Sequence, residues 1–372
     1  MRIFYLHSAG VQELDALPEQ MPAQGFLWLA CTRSTLQNQL PTVQNALQTL
    51  AGVQLVDLHV SDLLNAQLPS HYDYTSQYDL LVFRRLASAA PGAQADSSTA
   101  PARGGPPVLR RIDTNPVGFA VFDQVLLTVH PPDCAVRDIY AARLLAANPA
   151  SDAREGRNHP APGTRQPAST ADLMLRLVNL MVDGYLDLRR TLTRQLDHWQ
   201  NELLKPRARF VNWSALLDAR LSLHQLDEIC EDQRSAVQDW IDALATWPLP
   251  STAAGLREHD LLQVRSRDVL EHIERVVHHV RRLEQSTETA VQMHFSVQSN
   301  RTNDIMRTLT ALTAVFLPLN LMAGIFGMNF EFIPLVHKQH GFWWAMGAMA
   351  LIALALVALF WRKRYLARTG AD

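Results

Sequence analysis

Hydrophobic and polar positions change their rhythm several times along this chain. Over residues 1–85, apolar pieces (IFYLH, GFLWLA, VQLVDLHV, YDLLVFRRL) alternate with helical patterning such as TLQNQLPTVQNALQTL, which predicts strands and helices of an α/β domain. VGFAVFDQVLLTVHP, at 117–131, predicts a strand pair. From Thr170 the period lengthens to that of helices, over 170–204 and then 213–247, where Pro248 and Pro250 mark a stop. A third helical stretch starts near Thr252. Its Leu262, Val269, Ile273, Val276, Val280, Leu283 and Ala290 recur at steps of three, four or seven, and no proline interrupts it before Pro318. Unbroken, it would be a helix of about 70 residues and on the order of 100 Å long.

The last part of the chain is apolar on every face. Residues 308–330 contain no charged side chain, and neither do residues 341–361. Each run is long enough to cross about 30 Å of hydrocarbon. Trp343 and Trp344 at one end of the second run, and Trp361 at the other, suit the two headgroup belts. Arg301 and Arg307 precede the first run, and Arg362, Lys363, Arg364 and Arg368 follow the second, whereas Lys338 alone lies between them. Basic flanks stay in the cytoplasm, so both termini are expected there, with 331–340 as an external loop.

The expected organisation is therefore a cytoplasmic α/β domain over 1–169, long cytoplasmic helices over 170–307, spans at 308–330 and 341–361, and a basic tail at 362–372. Two segments rich in Pro, Gly and small residues, near 87–107 and 148–169, read as flexible inserts.

Composition removes other classes. A formal charge of −2 over 372 residues argues against a nucleic-acid partner. Cys31, Cys134 and Cys230 are odd in number and far apart, which predicts buried thiols rather than a disulfide framework or a zinc cluster. His272, His278 and His279 lack the spacing of a tetrahedral zinc set and are expected to be solvated. No phosphate-cradling glycine loop, nucleophile elbow or metalloprotease motif occurs in residues 1–300, so no enzyme and no organic cofactor is expected.

Polar and small residues mark one face of the first span. Asn303, Met306, Leu309, Thr313, Leu317, Asn320, Gly324 and Gly327 recur at three- or four-residue steps. This stripe serves either as a pore wall or as a seam between packed helices. Two spans cannot enclose a water-filled path, so transport requires several subunits around an axis. The stripe runs into Gly327-Met328-Asn329, which also has two uses: a Gly-Asn helix cap, or a ring of carboxamide oxygens that accepts hydrogen bonds from a hydrated cation. Met306, Leu309 and Leu317 would make apolar constrictions.

TNDIMRTLTALTAVFLPLNLMAGIFGMNFEF, followed by a span ending in WRKRYL, closely resembles the membrane end of the CorA-type magnesium and cobalt transporters. The resemblance is strong from Asp268 to Leu366 and mainly topological before it. Phe326 replaces the usual tyrosine before the triplet, and the loop keeps Glu331 but has Leu335 where many relatives carry a second acid. The resemblance implies a funnel-shaped homopentamer in the inner (plasma) membrane of a bacterium. It also implies Mg2+ as transported and regulatory ion, with Co2+ or Ni2+ as further cargo, and a selectivity filter at Gly327, Met328 and Asn329. Asp62 and Asp268 match the family's regulatory carboxylates. A zinc transporter of the same superfamily is the neighbouring alternative, from which Met328 argues away. A membrane-anchored binding or scaffold protein is the alternative of another class.

Overall fold

A computed structural model describes residues 1–8, 10–87, 112–146, 166–204, 213–328 and 340–362. The expected inserts lie mostly outside the described residues, as does nearly all of the external loop and the basic tail. Described residues of Met1–Glu202 and Arg209–Glu288 form one compact unit, and those from Thr289 onward belong to a second.

The first unit is built on seven strands: β1 (Arg2–His7), β2 (Gly10–Leu14), β3 (Phe26–Thr32), β4 (His71–Tyr74), β5 (Asp79–Leu86), β6 (Thr114–Val121) and β7 (Val125–His130). Their order in the sheet is β2-β1-β3-β7-β6-β5-β4. Only β3 and β7 pair in parallel; the other neighbours are antiparallel. The central strands β3 and β7 are covered on both faces, which explains why FLWLA and VLLTVH read as continuous apolar runs rather than alternating ones.

Helices cover the two faces. On one side lie α1 (Arg33–Asn38), α2 (Leu40–Ala51) and α3 (Asp57–Leu64), whose Leu36, Val43, Leu47, Leu50, Val60 and Leu63 join Leu27, Leu29, Leu80 and Leu127 of the sheet in one core. The expected single helix over TLQNQLPTVQNALQTL is two, broken at Gln39 because Pro41 supplies no N–H to continue the first. VQLVDLHV, read as a strand, forms none: its second half, Asp57–Val60, opens α3. Asp57 occupies its first turn, where negative charge suits the helix N-terminus, and Val60 and Leu63 pack onto the sheet at helical spacing. The opposite face carries α4 (Ala135–Ala146), which the sequence reading did not anticipate, α5 (Thr170–Leu204), α6 (Trp213–Thr246) and part of α7 (Ala253–Phe326). The expectation of one long third helix holds: α7 has 74 residues and contains Pro318.

Polar pairs fix the helices in register. Tyr185 of α5 and Gln233 of α6 both donate to the Arg84 carbonyl of β5, at 2.9 and 2.7 Å. The Trp240 indole of α6 donates to Ser266 of α7 at 3.0 Å. All three cysteines are buried and unpaired with one another, as their spacing implied.

Within the sheet core, Trp28 donates to Thr128 Oγ1 at 2.8 Å, Thr128 meets His130 Nε2 at 2.7 Å, and His130 Nδ1 lies 3.2 Å from Cys134 Sγ. His130 is fully buried, and burial, helped by Arg137 and Arg85, drives its pKa down to about 3. Folding therefore holds His130 neutral while the unfolded chain protonates it below about pH 6.5, so stability is full above that pH and falls toward pH 3. Between pH 6.5 and pH 5 the expected loss is roughly 2 kcal/mol. Denaturant unfolding of the full chain in detergent at pH 7 and pH 5 reads it, and a His130→Asn variant should flatten the difference.

In the second unit, α7 beyond Thr289 and α8 (Gly341–Arg362) include the two segments long and apolar enough to cross a membrane. Almost none of either segment is buried within the chain. Leu312, Phe316, Leu321, Leu351 and Leu354 are all more than half exposed, so each helix needs lipid or further protein around it.

Candidate functional site

Alpha-helical geometry advances about 100° per residue, which places Met306, Leu309, Thr313, Leu317, Asn320, Gly324 and Gly327 within one narrow sector of α7 or its end, with Asn303 at the sector's edge. Apolar exposure does not distinguish this sector. Met306, Leu309 and Leu317 are 57, 55 and 68% exposed, but Leu312 on another face is 55%. Polarity distinguishes it in part, since the Asn320 carboxamide falls here; Thr308 and Thr310, at the start of the span, lie outside the sector and spend their hydroxyl protons on the Asp304 and Met306 carbonyls.

Thr313 Oγ1 donates to the Leu309 carbonyl at 2.9 Å and Thr310 Oγ1 to the Met306 carbonyl at 2.8 Å, so both hydroxyl protons are used within the helix. An oxygen lone pair of Thr313 still faces outward. The Asn320 carboxamide is exposed and makes no hydrogen bond to another described residue. Buried in lipid, such a group would be costly; against water or another subunit it is satisfied. Pro318 has no N–H to offer the carbonyl of Ala314, which leaves a backbone acceptor near mid-span.

Helix α7 ends at Phe326, immediately before the triplet. Gly327 N donates to the Ala323 carbonyl at 2.9 Å and Met328 N to the Ile325 carbonyl at 3.3 Å. Gly327 is absent from the glycines with positive φ, so the left-handed cap that a Gly-Asn pair commonly forms is not adopted there. A Cβ at Gly327 would sit 3.0 Å from the Ala323 carbonyl oxygen, a tight fit on the backbone. Asn329 and Glu331 lie outside the described residues.

The two regulatory candidates sit in the first unit. Asp62, on α3, has its Oδ2 3.8 Å from His71 Nε2 of β4. Asp268, on α7, has its Oδ1 3.8 Å from His272 Nε2, one turn along the helix. Asp62 and Asp268 make no contact with each other within the chain, and among the described residues no three His, Cys, Asp or Glu side chains are grouped to hold a metal ion. The histidines expected to be solvated divide. His278 is exposed, but His279 is half-buried with Nε2 2.7 Å from Thr193 Oγ1, and His272 Nδ1 reaches Asn179 Oδ1 at 3.4 Å. Packing of α5 against α7 supplies these partners, which a linear reading of α7 does not contain. Burial, reinforced by Arg189 and Arg282, pushes the His279 pKa down.

The sequence reading also missed His71 as the neighbour of Asp62, because strand β4 was not anticipated. His272 was legible as the i+4 companion of Asp268 but was set aside with the other histidines.

Residues 23–364 match the family described as CorA-like Mg2+ transporter protein. Curated relatives include the cobalt/magnesium transport protein CorA of Thermotoga maritima, 26% identical over 52% of this chain and 52% of the relative. The magnesium transport protein CorA of Haemophilus influenzae is 32% identical over 27% of this chain and 32% of the relative. The aligned part thus spans about half of the first relative's length and about a third of the second's. Among solved structures, the complete CorA magnesium transporter from Methanocaldococcus jannaschii superposes with a TM-score of 0.66 at 16% identity, covering 100% of this chain and 98% of that one. The full-length CmaX protein superposes with a TM-score of 0.58 at 19% identity, covering 98% and 97%. These likenesses establish the shared fold of a soluble α/β part, a long helix and C-terminal apolar helices. With the family match extending over most of its length, the chain belongs to the CorA-like Mg2+ transporter family.

Proposed function

We propose that this chain is a subunit of a divalent-cation channel that takes up Mg2+, with Co2+ or Ni2+ as further cargo, and that it works as a homopentamer in the inner membrane with both termini in the cytoplasm. The observation that carries the proposal is the polar sector of α7 leading through a charge-free span to Gly327-Met328-Asn329, on a chain of this family. A monomeric tethered scaffold would leave the Asn320 carboxamide facing lipid, whereas a water-filled pore satisfies it.

Mg2+ holds its waters tightly, so recognising the hydrated ion costs less than stripping it. A ring of Asn329 carboxamides accepts hydrogen bonds from those waters, and Gly327 leaves backbone carbonyls open to the same path. Asn320 gives the ion's waters a further acceptor within the span. Met306, Leu309 and Leu317 form apolar rings that stop flow by dewetting when the pore narrows.

Asp62 and Asp268 from neighbouring subunits bind the regulatory ion and hold the closed state. A ligand that favours one state shifts the equilibrium by its difference in affinity, so falling internal Mg2+ releases the gate. Replacing both with Ala is expected to abolish Mg2+-dependent protection of the purified protein against trypsin; unchanged protection would remove them from this role. For uptake itself, the wild-type chain should restore growth at low Mg2+ to a bacterium stripped of its own magnesium uptake. Failure to do so, with the protein present in the membrane, would contradict the proposal.

A further inference from the structure

At one end of the sheet the chain leaves two neighbouring parallel strands in opposite directions. β3 and β7 end side by side at Thr32 and His130, which are partners in the ladder. β3 runs straight into α1, whose Leu36 packs on one face of the sheet, and β7 leads to α4, whose Tyr140, Ala141 and Leu144 pack on the other. Divergence of this kind opens a crevice beyond the carboxyl ends of the strands, the usual place for ligands in open α/β sheets. β6 extends the crevice. Its ladder with β7 begins at Gly118↔Val129, so Thr114 and Pro116 lie beyond it, paired only with β5.

Guanidinium groups collect at this end. Arg84 of β5 stands opposite Pro116 and donates to the Thr114 carbonyl, Thr114 Oγ1 and the Leu68 carbonyl, each at 2.8 Å. Arg33, the first residue of α1, donates to the Pro116 carbonyl. Carbonyls two residues apart on a strand are separated by roughly 7 Å, which sets the spacing of the two guanidinium groups. Arg85 and Arg137 add charge around His130 but are matched, Arg85 by Asp133 and Arg137 by Asp138. Arg33 and Arg84 are not matched. Among the described residues neither forms an ion pair, and every acceptor they reach is neutral.

Arg33 is the less satisfied of the two. Its Nε is shut off from solvent and meets no hydrogen-bond partner, in a group that offers five N–H donors. Burial, with Arg84 and then Arg85 nearby, pulls its pKa down, as expected where positive charge gathers without compensation. Buried polar groups are normally paired, so an orphaned one calls for a partner such as a bound ion. Both side chains stay partly open to solvent and Ser34, next to Arg33, is exposed, so the crevice can be entered.

We infer that this crevice is an oxyanion site for a phosphate group, with Arg33 and Arg84 as its two charged walls. A tetrahedral oxyanion between them accepts a charge-assisted hydrogen bond of about 2.8 Å from each, and the planar N–H fork of arginine matches its oxygens better than an ammonium does. What is selected is the phosphate group itself, carried by a soluble metabolite or by the head of a lipid. None of the residues proposed above for the pore or its regulation takes part.

The test is isothermal titration of the purified full-length protein in detergent and low-salt buffer free of divalent cations, with inorganic phosphate, pyrophosphate and dioctanoyl phosphatidic acid as separate titrants. Saturable binding is expected, weakened about ten-fold or more in Arg33→Gln and partly recovered in Arg33→Lys. Arg190→Gln, at an exposed pair in the same unit, should bind as wild type does. Ser34→Asp is the second variant. It removes neither guanidinium and places a carboxylate in the first turn of α1, where folding tolerates it, yet it should weaken binding similarly by repulsion. Pyrophosphate binding that depends on Arg33 identifies a soluble phosphate as the source, and binding of phosphatidic acid alone with the same dependence identifies a lipid headgroup; each supports the site. Binding of none of the three by wild type would overturn it, as would binding that Arg33→Gln and Ser34→Asp leave unchanged. Melting temperatures report folding, and if Arg33→Gln does not fold, Ser34→Asp decides alone.

Discussion

Replacing Asn329 with Ala is expected to reduce Mg2+ flux by on the order of 100-fold or more. Each hydrogen bond between a carboxamide and a water of the hydrated ion contributes roughly 1 kcal/mol net. In the proposed pentamer one substitution removes all five carboxamides, so even partial use of them, roughly 3 kcal/mol in total, multiplies into a hundred-fold effect. Methyl groups in the proposed ring accept nothing and leave the ion's water protons unmatched. Asn329→Asp separates hydrogen bonding from geometry: it keeps the acceptor oxygens, so flux should survive, but five negative charges should bind the ion longer and weaken discrimination among divalent cations. Dye-reported uptake into liposomes for the three proteins reads both effects. Equal uptake by wild type and Asn329→Ala would take Asn329 out of the selectivity ring.

The second large effect is expected at Asp172, in the first unit. Its side chain is only 4% exposed at the start of α5, where it accepts from Ala168 N at 3.0 Å, pairs with Arg176 at 3.2 Å and forms an ion pair with Arg265 of α7. Carboxylates are favoured at a helix N-terminus, and here the same group also fastens α7 to α5. Asp172→Ala leaves two guanidinium groups facing a methyl group, and breaking a buried pair from one side typically costs 3–5 kcal/mol. Arg265 is a third exposed, so the lower end, about 3 kcal/mol, is expected. A surface control makes the comparison clean. The Asp187–Arg190 pair is 76 and 74% exposed, and Asp187→Ala should cost less than about 0.5 kcal/mol. Urea midpoints of the full chain in detergent distinguish the two. Because Asp172 ties α5 to Arg265 in the N-terminal part of α7, its loss is also expected to blunt the proposed regulatory response without altering ion preference.

Much of this architecture was legible from residue patterns. The spans announced themselves through the missing charges of 308–330 and 341–361, and the long helix through its unbroken heptad-like spacing from Leu262 to Ala290. Where the reading failed, a contact distant in sequence had decided the outcome. VQLVDLHV has the apolar residues of a strand, yet its second half opens α3, where Val60 and the following Leu63 have a sheet to lie on. Strand β4 is short and polar, HYDY, and exists because it pairs with β5 at the edge of the sheet. With β4 unseen, His71 could not be matched to Asp62. The proposed pore face was visible as a stripe, but a stripe alone suits a helix seam equally well. A left-handed cap is not adopted at Gly327, whereas the exposed carboxamide of Asn320 suits a pore face and a seam between subunits alike. The function of Asn329 still rests on its place in the sequence after that stripe.

The most direct measurement of the central claim is ion entry into liposomes containing only the purified full-length chain, with an Mg2+-sensitive dye inside and an inward gradient imposed. The account predicts rapid, saturable Mg2+ entry that also occurs for Co2+ or Ni2+ and is lost in Asn329→Ala. Liposomes that admit none of Mg2+, Co2+, Ni2+ or Zn2+, despite correctly inserted protein, would contradict it.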